Sequence, residues 1–159
     1  MELLEAIKIA KAKLGEKYFE NLELNFQQVD EENVLKVTKK DGKVTIVYNQ
    51  LASLFRGLTI IKEKANEKEF VVDIKKHFTT NGYMHDCSRN GVVRNDVLKD
   101  RIVMLALMGM NRLLLYTEDT YKLEKYPYFG YLRGGYTKED IKELVAYGEA
   151  FGVELIPCI

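Results

Sequence analysis

The ten residues from Asn81 to Asn90 (Asn-Gly-Tyr-Met-His-Asp-Cys-Ser-Arg-Asn) constrain this chain more than any other stretch. Gly82 to Cys87 reads as one buried strand that carries Asp86, Ser88 and Arg89 to its carboxyl end. Beyond Asn90 the chain alternates helix and strand, and such units need a strand to start from. Asn95 is placed to cap a helix from Asp96 to Met108, with Val97, Ile102, Leu105, Ala106 and Met108 among its apolar positions and Gly109 as its stop. Arg112 to Tyr116 encloses Leu113-Leu114-Leu115, as a strand covered on both faces would. Thr137-Lys138-Glu139-Asp140 has the form of a capping box. The helix it opens carries Ile141, Leu144, Val145 and Tyr147 and stops near Gly152. Val153 to Ile156 reads as a third buried strand, followed by Pro157. The order βαβαβ with short connections predicts a parallel sheet with right-handed crossovers.

Residues 1–76 read differently. Leu3, Leu4, Ile7, Ala10 and Leu14 recur at helical spacing, and Gly15 is a stop. Leu22, Leu24 and Phe26 alternate with polar residues, as do the runs Val34 to Thr38 and Val44 to Tyr48. Asp41-Gly42 between the last two predicts a tight hairpin turn. Asn49 is placed to cap a helix over Leu51 to Lys64, whose Leu51, Leu54, Phe55, Leu58 and Ile61 share one face. Gly57 inside that helix points to close packing on a sheet, and Phe70 to Ile74 is a fourth strand. The expectation is an α/β chain. A small α+β domain, residues 1–76, has a four-stranded, mostly antiparallel sheet and two helices. A parallel three-strand unit, residues 77–159, comes after it.

Composition narrows the function classes. Lys plus Arg and Asp plus Glu both number 24, so the net charge is zero, which removes the overall electrostatic footprint of a duplex-binding protein. No apolar run approaches the roughly 20 residues needed to span a bilayer. The first helix carries Glu and Lys throughout, unlike a secretory signal. Cys87 and Cys158 make no disulfide framework and read as reduced thiols. Neither a cofactor nor a metal site is expected, and neither nucleic acid nor a membrane is the expected partner.

In open parallel sheets, functional residues gather at the carboxyl ends of the strands. Asp86, Ser88 and Arg89 fall at the first such end and Thr117, Glu118, Asp119 and Thr120 at the second. The connection from Tyr121 to Tyr136 is long and aromatic, with Tyr126, Tyr128, Phe129 and Tyr131 inside it. Aromatic faces suit sugar or base stacking, and they equally serve to pin an extended loop. A nucleotide-binding βαβ reading is disfavoured, because Ser88-Arg89-Asn90-Gly91-Val92 lacks the glycine pattern that admits a pyrophosphate.

With these motifs placed, the second segment resembles the β-N-acetylhexosaminidases of glycoside hydrolase family 20. Gly82-Tyr-Met-His-Asp-Cys-Ser-Arg89 is similar to that family's first barrel strand: Gly, three apolar positions, Asp, two small residues, Arg. Asn111 to Thr120 resembles its second strand. The stretches from Gly135 to Ile141, Glu143 to Tyr147 and Gly152 to Pro157 resemble its second helix and third strand. The small α/β domain before the barrel agrees more loosely.

The resemblance implies a retaining hydrolase of terminal N-acetylglucosamine or N-acetylgalactosamine. In that family the substrate's own acetamide oxygen attacks the anomeric carbon, outside the usual two-carboxylate scheme. It implies that Arg89 binds hydroxyls of the terminal sugar, with Asp86, Glu118 and Asp119 as the other substrate-side candidates. One of the two adjacent acids takes the family's role of orienting an active-site His. The strand departs from the family pattern here, reading Leu-Tyr-Thr-Glu-Asp-Thr without histidines. From the residues alone, Arg89 could instead form a structural ion pair with Asp86 or Asp119.

The resemblance places the family's catalytic Asp-Glu pair at a fourth strand, beyond Ile159. The chain is therefore expected to be an amino-terminal fragment of a cytoplasmic enzyme acting on oligosaccharides that end in an amino sugar. Alone it is expected to be inactive, with no catalytic residue of its own. A three-strand sheet leaves an open edge, which predicts self-association. The alternative is a complete small α/β protein that binds a ligand or partner without catalysis.

Overall fold

Helices separate two sheets in this computed structural model, which describes residues 1–89 and 91–159. Asn90, in the turn where a phosphate-binding glycine pattern is missing, lies outside the described residues. The first sheet holds β1 (Glu23–Gln28), β2 (Val34–Lys40), β3 (Lys43–Tyr48) and β4 (Phe70–Lys75) in the order β1-β3-β2-β4. Two of its pairings are antiparallel and one, β1 with β3, is parallel. Asp41 and Gly42 both take positive φ, 49° and 76°, which is what the two-residue β2–β3 turn requires. The alternation puts Leu35, Val37, Val44, Ile46, Tyr48 and Phe70 on one buried face.

That face is covered by α2 (Leu51–Glu63). Gly57 lets the helix approach: a Cβ there would stand 2.7 Å from Ile46 Cγ2. The opposite side of α2 packs on α3 (Asn95–Leu107) and α4 (Lys138–Phe151), and Phe55 meets Phe151 at 4.9 Å between ring centroids. α1 (Leu3–Leu14) buries Ala6, Ile7, Ala10 and Leu14, packs against α2 and α4, and reaches α3 through the Lys13–Asp100 ion pair. A single hydrophobic cluster therefore runs from the first sheet to the second. Each fully buried Leu, Ile or Phe in it contributes about 1.5–3 kcal/mol.

The second sheet is parallel throughout, in the order β5 (Gly82–Asp86), β6 (Arg112–Tyr116), β7 (Glu154–Cys158). This is the expected βαβαβ unit, with three of the eight strands of a closed (β/α)₈ barrel. β6, the central strand, buries Leu113 and Leu115. β5 is not the buried strand that its sequence suggests. Among the described residues it is an edge, paired with β6 alone, and Gly82, Tyr83 and Met84 are exposed. β7 is likewise an edge with no buried side chain, not the buried strand expected, and it runs on to Cys158, taking in Pro157, which an edge strand tolerates because the missing N–H faces no partner.

Two predicted caps are not made. α2 starts with Gln50 at its N-cap and no side-chain bond, while Asn49 Oδ1 is buried without a partner among the described residues. α3 has Arg94 at its N-cap, and Asn95 instead donates to Asp140 (3.0 Å) and Glu143 (3.4 Å) on α4. The Thr137–Asp140 capping box of α4 forms in full. Between the sheets runs a polar seam. Gln50 Oε1 accepts from Lys76 (3.1 Å) and Asn111 (3.0 Å), Lys76 also donates to Ser53 (2.9 Å), and Asn111 donates to the Thr79 carbonyl (2.8 Å).

Candidate functional site at the carboxyl rim

Parallel pairing brings the ends of β5 and β6 level, since Asp86 pairs with Tyr116 in register. The chain then turns sharply at each end. After β5, Asp86 Oδ1 accepts three hydrogen bonds, from Ser88 N (2.9 Å), Ser88 Oγ (2.8 Å) and Arg89 N (3.1 Å). These donors hold the Asp86 carboxyl below its usual range, so it stays ionised. Its other oxygen lies 3.7 Å from Arg89 Nη1. Asp86 thus shapes the turn and fixes the base of Arg89 at the same time.

After β6, Glu118 adopts left-handed backbone, φ 48°, a conformation that side-chain-bearing residues seldom take outside Asn and Asp. The turn aims its carboxylate back over the strand. Glu118 Oε1 accepts from the Tyr116 hydroxyl at 2.8 Å and stands 3.9 Å from Arg89 Nη2. That hydrogen bond, with the nearby negative charge, raises the Tyr116 phenol. The Arg89 guanidinium lies 5.5 Å from the centre of the Tyr116 ring. Arg89 is 70 % exposed, so its fork is held from one side by two carboxylates and a ring and is open on the other.

Asp119 does not join Arg89. Its carboxylate pairs with Arg133, which also donates to the Ser88 carbonyl. Of the four candidates, Asp86, Arg89 and Glu118 thus form one cluster, and Asp119 belongs to an adjoining ion pair. The sequence reading missed both Tyr116 and Arg133. Nothing near Arg133 in sequence signals it, because both of its acceptors are remote.

Beneath the rim the side chains are buried. Cys87 and Ser88 are buried, and Tyr136 donates to the Val93 carbonyl at 2.8 Å. Burial raises both the Tyr136 hydroxyl and the Cys87 thiol, so both are protonated at neutral pH. His85 faces Arg101 of α3, and burial lowers its pKa, leaving it neutral. The long loop divides its aromatics. Tyr121 and Phe129 meet at 5.1 Å and Tyr136 is buried, whereas Tyr126, Tyr128 and Tyr131 are exposed. Among the described residues, no three His, Cys, Asp or Glu side chains gather as a metal site. No described helix is long and apolar enough to cross a membrane.

No protein-family model matches the sequence, and no curated protein matches it. Solved structures do match. A β-N-acetylhexosaminidase aligns at TM-score 0.71 with 24% identity, covering 86% of this chain and 35% of that one. The family 20 exo-β-N-acetylglucosaminidase from Vibrio harveyi, in complex with N-acetylglucosamine, aligns at 0.70 with 18% identity, covering 99% and 31%. The family 20 β-N-acetylhexosaminidase from Streptomyces coelicolor A3(2) aligns at 0.69 with 19% identity, covering 93% and 38%. At these identities the likeness is one of fold. The chain spans about a third of the length of these structures.

Proposed function

We propose that this chain forms the small amino-terminal domain and the first three barrel units of a glycoside hydrolase of family 20. The whole enzyme would release terminal N-acetylglucosamine or N-acetylgalactosamine with retention, the acetamide of the substrate serving as nucleophile. The observation that carries the proposal is Arg89. Its guanidinium stands exposed at the carboxyl rim of a parallel sheet, anchored by Asp86 and Glu118. A fixed fork of donors suits two adjacent sugar hydroxyls, and ionised carboxylates on its far side keep it in place. Sequence motif and fold likeness support the same reading independently.

On this reading Arg89 contacts the non-reducing sugar, and Asp86 and Glu118 position it. Asp119 lies one ion pair away and reaches the sugar only through its neighbours. The catalytic acid pair is supplied by chain outside these residues, so the 159-residue protein hydrolyses nothing by itself. Incubation with a chromogenic N-acetylglucosaminide tests this directly. Turnover at the level of a boiled control is expected, and turnover well above it would overturn the assignment of roles. Binding is tested by titrating N-acetylglucosamine to about 100 mM, a range suited to a half-built site of millimolar affinity. Arg89 side-chain resonances are expected to shift with N-acetylglucosamine, and Arg89→Met to abolish the response. A chain whose Arg89 ignores the sugar would contradict the proposal.

A further inference from the structure

The last residues of the long loop, Arg133 to Tyr136, lie along the turn after β5. Three independent contacts show it. Arg133 donates to the Ser88 carbonyl, a Cβ on Gly134 would stand 3.2 Å from Val92 Cγ2, and the Tyr136 hydroxyl donates to the Val93 carbonyl. The same guanidinium reaches the Asp119 carboxylate at the end of β6. The loop is seated on that side as well, because a Cβ on Gly130 would stand 2.2 Å from the Asp119 carbonyl oxygen. One planar group therefore bonds two acceptors on two different loops, 14 and 45 residues away in sequence.

We infer that Arg133 is a positioning residue for the rim, fixing the Arg89 turn against the Glu118–Asp119 turn. The inference rests on Arg89 being the sugar-binding group. The chemistry requires a guanidinium. Two amino groups on a rigid plane reach a carboxylate and a carbonyl at once, whereas an ammonium is a point donor on a flexible stem. Ser88 is the residue on which the bond falls, and its amide and that of Arg89 complete the Asp86 turn. Losing the clamp frees the Ser88 carbonyl and leaves Asp119 unpaired beside Glu118. The two rim turns then move independently, and the distance between the Arg89 fork and the Glu118 carboxylate is no longer set.

The test compares Arg133→Gln, Arg133→Lys and Asp119→Asn by amide hydrogen exchange and by N-acetylglucosamine titration of the full chain. All three variants are expected to speed exchange at Ser88 and Arg89 by about tenfold, while amides of α2 and β2 keep their rates. Lysine is expected not to rescue, since it keeps the charge and loses the fork. Arg133→Gln is expected to need about fivefold more sugar for the same Arg89 shift, the factor that corresponds to one broken hydrogen bond. Asp119→Asn preserves size and loosens the same clamp from the other end, so a variant of Arg133 that fails to fold leaves the question decidable. Unchanged exchange at Ser88 and Arg89 in the folded variants overturns the inference, as does full rescue by lysine. If wild-type Arg89 responds to sugar and Arg133→Gln responds at the same concentrations, the positioning role falls while the sugar reading stands. If wild-type Arg89 does not respond at all, the sugar reading falls, and with it the role assigned to Arg133.

Discussion

At the scale of single residues, the rim is a small electrostatic device. Arg89 faces two carboxylates and one ring, and each holds it differently: Asp86 through the turn, Glu118 by charge, Tyr116 by its face. Replacing Arg89 by Lys keeps the charge but removes the fork. The expected result is a response to N-acetylglucosamine about tenfold weaker than wild type, measured by the same titration. Asp86 gives a pH signature. Its carboxyl titrates below the ordinary 3.8 in the folded chain, so its stabilising contribution is complete well above that value and is lost as pH falls below it, through the lower pKa of the folded chain. Urea midpoints of wild type and Asp86→Asn are therefore expected to differ at pH 7 and to converge as the pH is taken below 3.8. A gap that is the same at both ends would show that the turn does not depend on the ionised form.

At the scale of elements, the sequence was most informative where contacts are local. The Thr137–Asp140 box, the Asp41-Gly42 turn and the three parallel strands were all legible, because each depends on a few adjacent residues or on one period. The misassigned caps failed for a tertiary reason: Asn95 finds better partners on α4 than on its own helix, and nothing near Asn95 in sequence announces Asp140. The exposure of β5 was equally hidden. Apolar character tells what a strand could bury, and its neighbours decide what it does bury. Arg89 could be read from its motif, whereas Arg133 could not, since both of its acceptors are remote in sequence. Gly57 is a case where packing overrules helix preference. Alanine gains roughly 1 kcal/mol of propensity there, but its methyl would press into Ile46, and overpacking of a core costs about 1–3 kcal/mol. Gly57→Ala is expected to lower stability by about 1 kcal/mol in a denaturant titration; a gain would mean that Ile46 yields freely.

At the scale of the whole molecule, the second sheet has two unpaired edges, β5 and β7. Next to β7 lies an apolar groove of about 270 Å³ lined by Leu115, Ile141, Val145, Leu155, Pro157 and Ile159. Open edges and uncovered apolar surface favour pairing with another chain. The isolated chain is expected to form dimers or larger species as concentration rises, seen by light scattering, and a monomer at every concentration would refute this. The first sheet has edges of its own, β1 and β4, and it is not independent of the second. α2 touches β2 and β3 on one side and α3 and α4 on the other. Removing residues 77–159 would strip one flank of α2 bare. Far-ultraviolet and near-ultraviolet signals are expected to lose their native values together on heating, in one transition, and two resolved transitions would show otherwise. For anyone wishing to transplant either half into a different protein, this common wall is the obstacle: whichever piece is moved must bring a substitute for the neighbour it leaves behind.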